Sequence, residues 1–424
     1  MPAVSYRTEW QKTGRLRLLL GKINEGTSPG ENGNVTFTDH DFQQYFDLIP
    51  DAFRHPEEIT PGEFRSIVYR AAIDLRKYGL ITAENLLKEV NQRAVARLQL
   101  VVRPYTMWTR LRLRDMASAT GFRLRFDDVS LEGKARLPKW LQLEDYFLSG
   151  QGQIEPTSDA DFGFLIVKVR APTEESAARK IFDACDAFYA ITNIYWRSWP
   201  LWTARHAEAK LWMWRYQFFW ERKRFLGEDK IWYSPSFDEE EWRRFPGDYS
   251  KFLKALPYIR KALRKLQSHP LRTVLFHVAR LVHEGMSSPD LAYRLLRYWS
   301  AMERLYSEEE NRNASFDKLI QRLTFAESER ELAVMKLEHL SKLRNAYVHT
   351  GSTENDTNEL TQFLGQVLEH QIRYILVQGG DFVDHRELIE MADLPSDIPL
   401  LERRKKSIER RENIIKFGHH YSSD

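Results

Sequence analysis

A single cysteine, Cys185, leaves the chain no disulfide partner of its own and no Cys-based zinc site. That scarcity fits a reducing compartment, so a cytoplasmic protein is expected. Long apolar runs are missing too. None approaches the ~18 residues of a membrane-crossing helix, and Arg7, Lys12, Arg15 and Arg17 interrupt what would be the apolar centre of a signal peptide. Charge of one sign is scarce as well: 63 Lys and Arg against 60 Asp and Glu give a net +3, so any surface for nucleic acid must be local. Several hydrolase and nucleotide signatures are absent. Gly21-Lys22 lacks both the glycine five residues earlier and the following Ser/Thr of a phosphate-binding loop, His283-Glu284 lacks the second histidine of a zincin helix, and no G-x-S-x-G occurs. His419-His420 has nothing nearby in sequence to complete a metal site, so neither cofactor nor metal is expected.

What is present is ample apolar content, 42% with 13% aromatics, in 424 residues. That suits two or three folded domains. Residues 1–59 read as mostly loop with a short helix around Trp10–Ile23. Thr60-Pro61-Gly62-Glu63 is a capping box with proline in the first turn, and Phe64, Ile67, Val68, Ala71 and Leu75 give the helix it opens an apolar stripe up to Gly79. A second helix spans about Ala83 to Val95. The period then changes to two. Leu98, Leu100 and Val102 predict a short strand ended by Pro104, and Leu111–Leu113 and Phe122–Phe126 predict a hairpin. In that hairpin Arg110, Arg112, Arg114, Arg123 and Arg125 would share the outer face. Two readings stand, a phosphate-contacting surface and a solvated sheet face partly neutralised by Asp115, Asp127 and Asp128.

Residues 162–170 predict a central, nearly continuous apolar strand, and Thr173 starts a helix that buries Ile181, Phe182, Cys185, Phe188 and Tyr189. Eight of the twelve tryptophans fall between Trp196 and Trp242. There Trp212, Trp214, Tyr216, Phe218 and Trp220 alternate, as a base-stacking row or, more ordinarily, as core. Pro246-Gly247-Asp248 marks a boundary. Beyond it the sequence is helical: a helix opened by Ser288-Pro289, one capped by Ser328 and Glu331 with Leu332, Met335, Leu340, Leu343 and Tyr347 on its inner side, and one over Leu360–Ile375. The expected fold is therefore α+β. An N-terminal segment (1–59) leads into a mixed domain with an antiparallel-rich sheet (60–245). An all-α bundle (246–379) and a basic tail (380–424) follow.

The pattern R-x4-H occurs three times, as Arg264…His269, Arg272…His277 and Arg344…His349. Only the third has an amide beside the arginine (Asn345) and a Thr-Gly stop after the histidine. Leu343–Gly351, L-R-N-A-Y-V-H-T-G, resembles the R-N-x-x-x-H-x-G signature of HEPN domains. Trp299–Leu305 is similar to the W-x-x-(L/M)-E-x-L helix of their Apea-like branch, so the resemblance covers about residues 270–378. It implies a helical bundle that pairs as a homodimer, with Arg344, Asn345 and His349 cleaving RNA without a metal and Glu303 at an acidic position of the neighbouring helix. It also implies a role in antiphage defence or as a toxin, with the N-terminal domain answering a phage or protein trigger. The alternative is a non-catalytic bundle that dimerises and binds nucleic acid or protein. The residue chemistry agrees with cleavage: a fixed guanidinium, an amide and a proton-transferring imidazole suffice when RNA supplies its own 2′-hydroxyl. At ~100° per residue, Arg344 and His349 lie about 140° apart on a helix, so a site completed by a second chain is expected.

Overall fold

The computed structural model describes the chain apart from residues 1–2, 31–33, 39–41, 115, 117–120, 142–162, 197–215, 228–230, 234–246, 289, 308–314, 326, 328, 351–357, 378–381 and 422–424. The side chains of residues 42, 43, 114, 233, 349, 350, 358, 414 and 416–421 also lie outside the description.

The first helices are Thr8–Lys12 (α1), Arg15–Glu25 (α2), Phe42–Leu48 (α3), Pro61–Tyr78 (α4) and Ala83–Leu98 (α5). Two helices form where one was expected around Trp10–Ile23, because Gly14 takes φ +68° between them, a left-handed turn that a helix interior excludes. The capping box of α4 is formed as read, Thr60 Oγ1 accepting from the Glu63 N–H and the Glu63 carboxylate from the Thr60 N–H. Such a cap is worth about 1 kcal/mol. These helices share an apolar cluster that includes Ile23, Phe53, Phe64, Val68, Leu86 and Val90. The strand expected from Leu98 to Val102 is absent: Leu98 ends α5, Leu100 and Val102 are exposed, and the strand begins at Arg103.

The main sheet contains Arg103–Leu111 (β1), Phe122–Phe126 (β2), Val129–Lys134 (β3), Gly163–Ala171 (β4), Tyr216–Glu221 (β5), Arg224–Phe225 (β6) and Trp232–Tyr233 (β7). Its order is β6-β5-β1-β4-β3-β2, with β7 also on β5, and every pairing is antiparallel. The apolar strand β4 is central, as its sequence predicts. The predicted hairpin is not formed. β2 turns back on β3 through Asp127-Asp128, with Asp127 at φ +53°, while β1 pairs with β4 and β5. A tight local turn closes at little entropic cost and outcompetes the longer connection. The five-arginine face is therefore lost: Arg110 and Arg112 are buried, whereas Arg123 and Arg125 remain exposed.

One sheet face packs on Glu174–Trp196 (α6). The other carries a ring cluster in which Trp108 stacks on Phe218 at 4.4 Å with Trp220 beside them. Phe218 and Trp220 are thus core, not a base-stacking surface; Trp212 and Trp214 lie outside the described residues.

The C-terminal helices are Tyr249–Ser268 (α7), Arg272–Ser287 (α8), Leu291–Tyr306 (α9), Phe316–Leu323 (α10), Arg330–Thr350 (α11), Asn358–Val377 (α12), His385–Ala392 (α13) and Ile398–Tyr421 (α14). The cap of α9 is Asp290, whose carboxylate accepts from the Ala292 and Tyr293 N–H groups. Gly285 and Gly365 let α8 and α12 close on α9, since a Cβ at either would fall 2.5 or 2.7 Å from the Tyr298 ring. The inner sheet face, α6 and α7–α12 share one apolar cluster, which continues past the expected boundary at Gly247. There Gly247 pairs with Leu113 and Asp248 caps α7. The molecule is a mixed α+β fold, an antiparallel sheet with helices before and after it. Among the described residues no helix is long and apolar enough to cross a membrane.

Candidate active site

Helix α11 carries the Arg–His motif, and its rotation decides where each side chain goes. The residues buried on it are Ala333, Leu337, Leu340 and Ser341. Steps of three and four residues keep these on one side, and the next member of that stripe is Arg344. Its guanidinium is accordingly half-buried, with Nε enclosed and without a hydrogen-bond partner. Nη1 reaches outward and donates to Asn345 Oδ1 at 3.1 Å. Leu332 and Met335, expected on the inner side, are instead 45% and 64% exposed, while Leu343 and Tyr347 are half-buried. The small Ala333 and Ser341 take the inner face, where α9 and α12 close on the helix.

Among the described residues Arg344 makes no ion pair, and it lies six residues before the end of α11 at Thr350. That is too far for the terminal carbonyls, whose attraction for cations is confined to the last turn. Among the described residues the guanidinium is thus not consumed by either of its ordinary structural uses. Asn345 is exposed. The backbone of His349 is in the last turn of α11, four residues on from Asn345 and on the same side of the helix. The structure brings Arg344 and Asn345 together; the His349 side chain, Gly351 and Ser328 lie outside the described residues. Glu303 on α9 is half-buried and accepts the Trp299 indole N–H at 2.9 Å. Trp299 itself stacks flat on Phe316 at 4.7 Å.

In the other two Arg–His pairs, His269 and Arg272 have structural uses. His269 ends α7 and accepts the Leu271 N–H on Nδ1, and Arg272 pairs with Asp127. His277 is exposed beside Arg280, and partial burial, with Arg280 and Arg304 nearby, holds its pKa below the ordinary histidine value. A polar cluster between α6 and α8 went unread in the sequence. The His283 ring lies parallel to Tyr189 with Asn193 Nδ2 3.1 Å from its Nδ1, and burial lowers its pKa to about 4. On the same side of α6, burial raises Asp186 to about 7, with Asp183 and Glu284 adding to the rise and Arg280 opposing it. Its only signal in sequence is a carboxylate next to the buried stripe of α6. Among the described residues no group of three His, Cys, Asp or Glu side chains is placed to hold a metal ion. Comparisons of the chain with protein-family models, with curated proteins and with solved structures find no match.

Proposed function

We propose that the chain is an endoribonuclease whose site forms at the end of α11, in a helical bundle of the HEPN kind, made whole by a second copy. The observation that carries this reading is Arg344: a half-buried guanidinium with no carboxylate partner among the described residues, bonded to an exposed Asn345. In the reaction the 2′-hydroxyl of RNA attacks the adjacent phosphorus. His349 moves a proton, taking it from the 2′-oxygen or giving it to the departing 5′-oxygen. Arg344 donates its planar fork to the charge that builds on the phosphorane, and Asn345 orients phosphate or imidazole. The products are a 2′,3′-cyclic (or 3′-) phosphate and a 5′-hydroxyl. Because the nucleophile belongs to the substrate, the step needs no metal.

The 140° between Arg344 and His349 on one helix favours a site shared by two chains. The exposed Leu332 and Met335 on the same helix supply apolar surface for the pairing. RNA cleavage of this kind would arrest growth, which fits a toxin or an antiphage role triggered through the N-terminal part. The test is cleavage of labelled RNA in EDTA by the wild type and by Arg344→Ala and His349→Ala. Cleavage by the wild type alone supports the site. Equal cleavage by all three assigns the activity elsewhere. No cleavage under any condition, phage-infected extract included, leaves the bundle a pairing and binding module.

A further inference from the structure

Cross-strand rows on the outer face of the sheet run from rings to cations. In one row Phe218, Trp108, Ile166, Glu132 and Arg123 stand in register, and in the next Trp220, Thr106, Lys168, Ser130 and Arg125. The ring half is covered by Leu141 and its neighbours. The cation half is open: the Arg123 side chain is 74% exposed, Lys134 45% and Lys168 41%. All three converge on one carboxylate, Glu132, at 3.6, 3.8 and 3.0 Å. Glu132 is the lone acid among the outward residues of β2, β3 and β4, so the trio keeps a charge of about +2.

The turn beside it adds no neutralisation. Asp127 is paired with Arg272 and Asp128 with Lys180, while Arg125 donates to the Asp127 backbone carbonyl. Arg170 is exposed at the far end of β4. At the near end a cleft of about 650 Å³ is lined by Arg123, Lys134 and Arg136, with Glu132 among them, around the Gly133 backbone. Mutual repulsion among so many exposed cations costs folding stability and is relieved by an anionic partner. Four of the six are arginines, whose forks match phosphate oxygens two at a time. Neighbouring outward residues on a strand stand about 7 Å apart, which makes a ladder of donors for a chain of phosphates.

The geometry points to this half-face as the binding surface for the phosphate backbone of RNA. The choice of RNA over another polyanion rests on the nuclease reading; the anion-binding face does not. The experiment uses the full chain carrying His349→Ala, with and without Arg123→Gln, Lys134→Gln and Arg136→Gln together, and a fluorescent single-stranded RNA titrated at several salt concentrations. The triple substitution is expected to weaken binding on the order of tenfold or more and to lower the log–log salt slope by about 2, at ~0.7 per lost phosphate contact. Each single substitution gives a part of that change, which keeps the result readable should the triple variant fold poorly. Unchanged affinity and slope overturn the proposal. So does an acidic peptide that competes with the RNA at equal charge concentration, because the face would then be one for acidic protein. Wild-type chain that binds RNA through these residues yet never cuts it would remove the nuclease reading and leave the binding face standing.

Discussion

The contact between Arg344 and Asn345 was legible because neighbours on a helix are neighbours in sequence. The phase of α11 was not legible. Leu332 and Met335 look like core by size, but the inner face went to Ala333, Leu337, Leu340 and Ser341, set by how α9, α10 and α12 pack on the helix. That rotation is what sends Arg344 inward and leaves Asn345 in solvent. A consequence follows for substitution. On the proposed nuclease reading, Arg344→Ala should lower kcat on RNA by about 10²–10³, the loss found when one donor to developing charge is removed. Arg344→Lys should recover little of it, since an ammonium offers a point charge where a planar fork is needed. Single-turnover cleavage rates read this directly, and full rescue by lysine would mean that only charge matters at the position.

Elements were legible where their signals are local and not where their partners are remote. The cap of α4, that of α6 (where Thr173 Oγ1 accepts the Ser176 N–H) and the apolar strand β4 lie in contiguous residues. The partner of β1 does not, and alternating sequence cannot say which strand sits alongside. Contacts between C-terminal helices are equally invisible in sequence. Arg322 of α10 is almost wholly buried, donates twice to Asp393 just after α13, at 2.7 and 2.8 Å, and bonds the Tyr306 carbonyl at the end of α9. Those hydrogen bonds from Arg322 hold the Asp393 carboxyl below its ordinary value. Asp393→Asn leaves a buried guanidinium without its carboxylate and should cost about 3 kcal/mol in urea unfolding, whereas Arg322→Met, which removes the charge and keeps bulk, should cost less. The reverse order would show that Tyr306 carries the contact. Helix α14 is the opposite case, since its described side chains beyond Leu401 are all exposed. Truncation after Glu402 should move Tm by no more than about 2 °C. A larger fall would mean that the basic helix is packed in the assembled particle.

At the scale of the whole molecule, the sheet, α6 and the C-terminal helices hold one apolar cluster, so they should unfold together. Asp186 lies on α6 and His283 on α8, two helices of that cluster, and their protons act against each other. Asp186, raised to about 7 from 3.8, keeps its proton in the folded chain where the unfolded chain has lost it. Its contribution is complete below pH 3.8 and is lost as pH rises to about 7. His283, lowered to about 4 from 6.5, refuses a proton that the unfolded chain accepts. Its contribution is complete above pH 6.5 and is lost as pH falls to about 4. Across that shared window the two slopes oppose, each at about 1.4 kcal/mol per pH unit. Relative to wild type, Asp186→Asn should therefore make stability fall as pH drops from 6.5 to 4.5, and His283→Asn should make it fall as pH rises over the same interval. Urea midpoints at the two pH values measure both. Differences of the same sign in the two variants would show that the two groups do not titrate as their surroundings dictate.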